Sequence, residues 1–357
     1  MIRTLLARAA LVAAGACAAT LLTAAPAAAH GADAPDGTDY RTRTSGVAPA
    51  RAGLAVRVVE AGARLELTNR TGRAIEVIGY SGEPYLRIGP DGVFENSRSP
   101  ATYLNRTIAG DTTLPAEADP AAPPSWRRIA DGTTVRWHDQ RALWRESTPP
   151  DAVRAAPERE QRVRDWTVPL RDGDDPVQIV GTLDWVPRPD TYTWWAVTIV
   201  GVLVVGALGL LAAAQAGSRA LAVLGALLVA GGAVAVLYPV GRELDAGAQG
   251  VGGVLVGLLA GQVWSLLTGL GAIAAGCYAL ARRPAADFAV ALAGACLALL
   301  AGVANAAVFN RSVAPLPWPA EIARIMVAVV LITGAGATAA GVLRLHAASR
   351  TPAPART

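Results

Sequence analysis

Three features of the 357-residue sequence predict a multi-domain protein: an extracytoplasmic all-β domain of immunoglobulin-like or β-sandwich type, followed by an α-helical transmembrane bundle of about five helices. Apolar residues are concentrated after about residue 192, in runs long enough to cross a hydrocarbon layer of about 30 Å. Residues 30–191 instead hold charge and proline, in short alternating segments separated by turn residues. Residues 1–29 combine Arg3 and Arg8, an apolar run through Leu22 and a small-residue tail ending Ala27-Ala-Ala29, the pattern of a secretory signal peptide. The predicted division is therefore a signal over 1–29, an extracytoplasmic domain over 30–191, five helices over 192–344 and a cytoplasmic tail over 345–357.

Composition supports two physical classes in one chain. The mean hydropathy of +0.35 is too high for an ordinary soluble protein. The formal charge of +4 does not point to nucleic acid, because residues 30–191 carry 21 Arg against 24 Asp and Glu, a local net of −3. The surplus positive charge lies in the signal, the loops and the tail, where membrane topology places it. Of the three cysteines, Cys17 is in the signal and Cys277 and Cys296 are in apolar segments, so no disulfide framework supports the β domain.

Within that domain, Leu54–Glu60 and Ala63–Thr68 alternate around a turn at Ala61-Gly62 and predict a hairpin. Ala74–Tyr80, Tyr85–Gly89 and Val93–Glu95 continue a meander, with turns at Asn69–Gly72 and Pro90–Gly92. Residues 110–125 predict a long loop, 135–144 and 166–170 extended or mixed structure, 151–164 a short helix, and Val177–Trp185 a final strand. Trp126, Trp137, Trp144, Trp166 and Trp185 suit core packing or a domain base resting on the membrane surface. The apolar runs are 193–214, 220–240, 251–281, 287–309 and 322–343, of which the third is overlong. Arg219, Arg282, Arg283, Arg344, Arg350 and Arg356 then all fall on the inner side, as the positive-inside rule requires. Gly253, Gly257 and Gly261 form a small-residue ridge expected to pack helices, with Gln262 and Asn305 as interhelical hydrogen-bonding groups.

No G-x-S-x-G, H-E-x-x-H or phosphate-binding glycine loop is present, so a non-enzymatic role is expected. Ionisable groups such as Asp287, Glu321 and Arg324 sit near helix boundaries, which disfavours a proton or ion relay. The chemistry-bearing pattern is instead histidine. Two cleavage sites obey the A-x-A rule, after Ala27 or after Ala29, and the second leaves His30 as the mature N-terminus. An N-terminal histidine offers its amine and a ring nitrogen to Cu(II), and a second imidazole completes a histidine brace. His138, in Arg136-Trp-His-Asp-Gln-Arg141, is the other histidine expected outside, with Asp139 as an oxygen donor beside it. The expected metal site is thus His30, His138 and Asp139, with Cu(II) as cofactor. The plainer reading makes His138 a buried polar residue satisfied among aromatic side chains, and the domain a scaffold that binds an envelope protein or cell-wall partner.

At His30–Gly37, Asn69–Gly72, Gly79–Tyr85, Tyr103–Thr107 and Arg136–Arg141 the chain resembles a family of bacterial membrane proteins with an exported N-terminal domain. That resemblance implies an architecture and no activity. In arrangement it is also similar to the periplasmic copper-resistance proteins, in which a β-sandwich beginning at an N-terminal histidine is fused to a membrane domain. It departs from them in its predicted helices, which hold no histidine and, as methionine, Met326 alone.

Overall fold

The computed structural model describes residues 37–213 and 217–350. The predicted signal and His30 lie outside these residues. Ten strands build two antiparallel sheets: β1 (Tyr40–Ala48), β2 (Leu54–Val59), β3 (Arg64–Asn69), β4 (Ile75–Ile78), β5 (Pro84–Gly89), β6 (Gly92–Asn96), β7 (Trp126–Ala130), β8 (Thr134–Trp137), β9 (Gln161–Asp172) and β10 (Asp175–Trp185). One sheet has the order β1-β10-β9-β4-β5-β6-β7 and the other β2-β3-β8. Seven strands against three replace the four against three of an immunoglobulin constant domain. The physical reason is the long β9–β10 hairpin, which joins the β4–β7 meander to β1 and extends one sheet at the other's expense.

Both sheets contribute to one core. Leu65, Leu67, Val135 and Trp137 from the smaller sheet meet Ile75, Val77, Leu86, Ile88, Val168, Leu170 and Ile179 from the larger. Strict alternation drives this: in β9, Trp166, Val168 and Leu170 are buried while Thr167, Pro169 and Arg171 face out. Gly173, at φ +63°, and Asp174 close the hairpin in two residues, a turn that needs left-handed backbone.

β7 is a strand where none is expected, and two other segments also differ from expectation. β1 is not predicted by the sequence, because Tyr-Arg-Thr-Arg-Thr lacks aliphatic alternation; its inward Thr42 is instead satisfied by the Ala142 carbonyl at 3.0 Å. The helix expected over 151–164 is confined to α2 (Asp151–Ala155), since Pro157 cannot continue it, and β9 already begins at Gln161. A shorter helix, α1, spans Ala101–Leu104.

Among the described residues, five helices are long and apolar enough to cross a membrane. They comprise α3 (Thr191–Ala207, continued by a 3₁₀ stretch to Ala213), α4 (Gly217–Asp245), α6 (Val263–Leu280), α7 (Ala286–Cys296, continued through π and 3₁₀ turns to Phe309) and α8 (Ala320–Arg350). Their outward faces carry bare Leu203, Val204 and Trp264, as a hydrocarbon surrounding allows. The overlong third run breaks at Gln262 into α5 (Gly250–Gly261) and α6. α8 continues to Arg350, so His346 lies on that helix.

The glycine ridge lies on α5, where Gly257 alone makes a close approach to another helix, α4. A Cβ on Gly261 would meet nothing, and one on Gly257 would strike the Glu243 carboxylate. Close packing uses other glycines. Gly225 faces Gly276 and Gly232 faces Gly269 between α4 and α6, and Gly294 faces Gly334 between α7 and α8, each with backbone less than 3 Å from the added Cβ. Asn305 donates to Ala301 O of its own helix at 2.8 Å rather than to a neighbouring helix.

Candidate functional site at the junction of sheet and bundle

The motif that carries His138 begins in β8 and turns away from it. Inside the turn, Asp139 is 1% exposed and saturated: Trp137 Nε1 donates to it at 2.9 Å, Arg141 Nε and Nη2 each at 2.8 Å, and the Arg141 amide at 3.1 Å. His138, also 1% exposed, turns to other partners. Its Nδ1 donates to Ala63 O at 2.8 Å, which leaves Nε2 to accept from Arg64 Nε at 3.1 Å. Both ring nitrogens are therefore engaged. Among the described residues no group of three or more His, Cys, Asp or Glu has the arrangement of a metal site. His30, the other half of the expected brace, lies outside those residues.

From His138 a chain of polar contacts runs to the bundle. Arg64 Nη1 reaches Glu60 Oε1 at 3.3 Å. Glu60 and Ala61 both hold left-handed backbone, at φ 56° and 53°, a conformation that costs about 1 kcal/mol or more per non-glycine residue. What this turn achieves is to aim the Ala61 amide at Asp245 Oδ2, at the end of α4, 2.8 Å away. Burial pushes the Glu60 carboxyl above the usual carboxylate range, despite the opposing charges of Arg64 and Arg136. Its Oε2 is buried without a hydrogen-bond partner.

Beside it, Glu66 is compensated. Burial alone would raise its pKa, but Arg57 Nε at 2.5 Å and Arg136 Nε at 2.6 Å hold it below the usual range. Both arginines also donate to Gly247 O, at 3.2 and 3.0 Å, in the turn after α4. The smaller sheet is thus fixed to the α4–α5 turn by two shared arginines and one backbone amide.

A second contact lies at the other sheet. Asp39, 2% exposed, accepts from Arg188 Nε at 2.8 Å, Arg311 Nη1 at 2.9 Å, and the amide and hydroxyl of Ser312 at 3.2 and 3.3 Å. Thr38 and Val313 exchange both backbone hydrogen bonds, at 3.0 and 2.8 Å, so the loop before α8 adds a short antiparallel bridge to the chain entering β1. Arg324 of α8 ties the end of the preceding helical segment to that loop, donating to Val308 O at 3.1 Å and to Arg311 O at 2.8 Å.

The sequence singled out His138 and Asp139 as chemistry-bearing; the structure makes His138 the buried start of a polar path to the membrane helices and keeps Asp139 within its own turn, bonded to Trp137 and Arg141. It carries no signal for Asp39, Glu60 or Arg324 as junction residues, because their partners are up to 273 residues away. Comparison with protein-family models, with curated proteins and with solved structures returns no match.

Proposed function

We propose that the chain is an integral envelope protein whose exported β domain is held in one pose on the outer end of the five-helix bundle and acts as a non-catalytic module for a protein or cell-wall partner. The observation that supports this reading is the double junction. Asp39 is buried among donors from both halves of the molecule, and Arg57 and Arg136 each bridge Glu66 to the α4–α5 turn. A domain tethered merely for display needs a flexible linker; here two separate contacts hold it, which suits a module that presents a fixed surface or passes load to the helices. The arginine pattern of the loops supports an orientation with the β domain outside and the C-terminus inside.

A Cu(II) brace through His30 and His138 remains the rival. It requires His138 to give up either the Ala63 or the Arg64 bond, leaving a buried group unpaired at a cost of about 1–3 kcal/mol. The test is to purify the full processed chain, sequence its N-terminus and titrate Cu(II) beside His30→Ala and His138→Ala. The scaffold reading predicts that His138→Ala leaves copper affinity unchanged. A loss of about tenfold or more in both variants, roughly 1.4 kcal/mol each, overturns it in favour of copper binding.

A further inference from the structure

Most arginines in the β domain are matched by a carboxylate. Of the 21 between residues 37 and 191, fifteen form salt bridges. Arg145 and Arg164 touch no carboxylate among the described residues, and they line the same pocket. That pocket has a volume of about 480 Å³, is formed with Gln140, Leu143, Trp144 and Glu146, and shares no lining residue with the junction contacts.

Arg164 is the inner cation. Its Nη2 donates to the carbonyls of Leu143 and Gln140, and its guanidinium lies 5.9 Å from the Trp144 ring centre. Its Nε is buried with no acceptor. Burial depresses its pKa, with only the charge of Glu146 opposing, so the guanidinium is under-compensated. Gln140, 6% exposed, spends its amide nitrogen on Leu104 O and Thr107 O and leaves Oε1 buried without a partner. Arg145 stands at the mouth, exposed, with one long bond of 3.4 Å to Gly110 O.

We propose that this pocket binds the carboxylate group of a small organic acid, with Arg145 and Arg164 pairing its oxygens and Leu143 and Trp144 flanking its apolar part. The volume lies within the range of small-molecule sites. Two arginines against one glutamate leave the lining one positive charge in excess, which a monoanion neutralises and a dianion overshoots. A guanidinium also matches a carboxylate in bidentate geometry. The site is independent of the partner-binding reading, since no junction residue takes part in it.

The test is calorimetric titration of the full chain in nanodiscs, at low salt, with benzoate, phenyl phosphate and benzamide. Benzoate is expected to bind, and uncharged benzamide to bind about tenfold or more weakly, the loss of one charge-assisted pairing. Arg145→Gln is the primary variant because Arg164 also holds two backbone carbonyls. With its thermal unfolding unchanged, it is expected to weaken benzoate by about tenfold. Glu146→Gln is expected to tighten benzoate. The proposal is overturned by equal binding of benzamide, by phenyl phosphate binding as tightly as benzoate, by unchanged affinity in the folded Arg145→Gln protein, or by no benzoate binding at all.

Discussion

The two junctions between β domain and helices are built to different standards. At Asp39 every demand is met: four donors surround a nearly inaccessible carboxylate, and a backbone bridge runs alongside. At Glu60 the carboxyl is buried with one oxygen unpaired, on two consecutive residues in left-handed backbone. A carboxylate surrounded by donors fixes a pose, whereas one that lacks them makes its contact sensitive to protonation. The Asp39 junction is fully compensated, whereas at the second junction burial raises the pKa of the Glu60 carboxyl beside the contacts that cross to the bundle.

The largest break in this comparison should come from Asp39→Ala. It removes the acceptor shared by Arg188, Arg311 and Ser312; both arginines are about half exposed, so the loss is that of several hydrogen bonds to a charged acceptor, about 3 kcal/mol. A fall in the unfolding temperature and new protease cuts in the 310–319 loop are expected; an unchanged melt would show that the anchor is elsewhere.

Glu66→Gln comes next, at about 1–3 kcal/mol, since Arg57 and Arg136 keep their Gly247 bonds but lose the shared carboxylate. Glu66 has a folded pKa below its unfolded value. Its contribution is therefore fully present above the usual carboxylate range and is lost as pH falls toward the folded value. Chemical denaturation of wild type and variant should converge in acid; a constant gap across pH would contradict the assignment.

Glu60→Gln has the opposite sign and the smallest effect. The folded pKa of Glu60 is raised, so the folded state retains a proton that the unfolded chain gives up, and stability falls as pH rises through that window. The variant should be more stable than wild type near neutral pH, by less than Glu66→Gln costs, and the two should coincide below the usual carboxylate range. A variant less stable at neutral pH would mean that the Arg64 pairing outweighs burial.

How much of this was legible in the sequence follows the range of the interactions. The β4–β6 meander and β10 could be read because alternating aliphatics between turn residues are local signals. β1 could not, since between Tyr40 and Val47 its residues are Arg, Thr, Ser and Gly, and its partner β10 supplies the hydrophobic side chains. The five helices were visible in hydropathy, but the break at Gln262 was not, because an apolar run has the same hydropathy whether or not it bends. His138 was picked out by scarcity, which marks a residue without saying what it contacts. Its partners Ala63 and Arg64 lie across the sheet from it, and β3–β8 pairing alone brings them together.

The pose proposed for the β domain, fixed to the bundle at the Asp39 anchor, is tested most directly at the adjacent backbone bridge. Thr38 and Val313 form a hydrogen-bonded antiparallel pair, whose Cα separation of about 5.5 Å is within reach of a disulfide. In a Cys277→Ser, Cys296→Ser background, Thr38→Cys with Val313→Cys should close an intramolecular disulfide nearly completely under mild oxidation in membranes, read by mass spectrometry of proteolytic fragments. Free thiols at both positions in the folded protein would contradict a fixed junction.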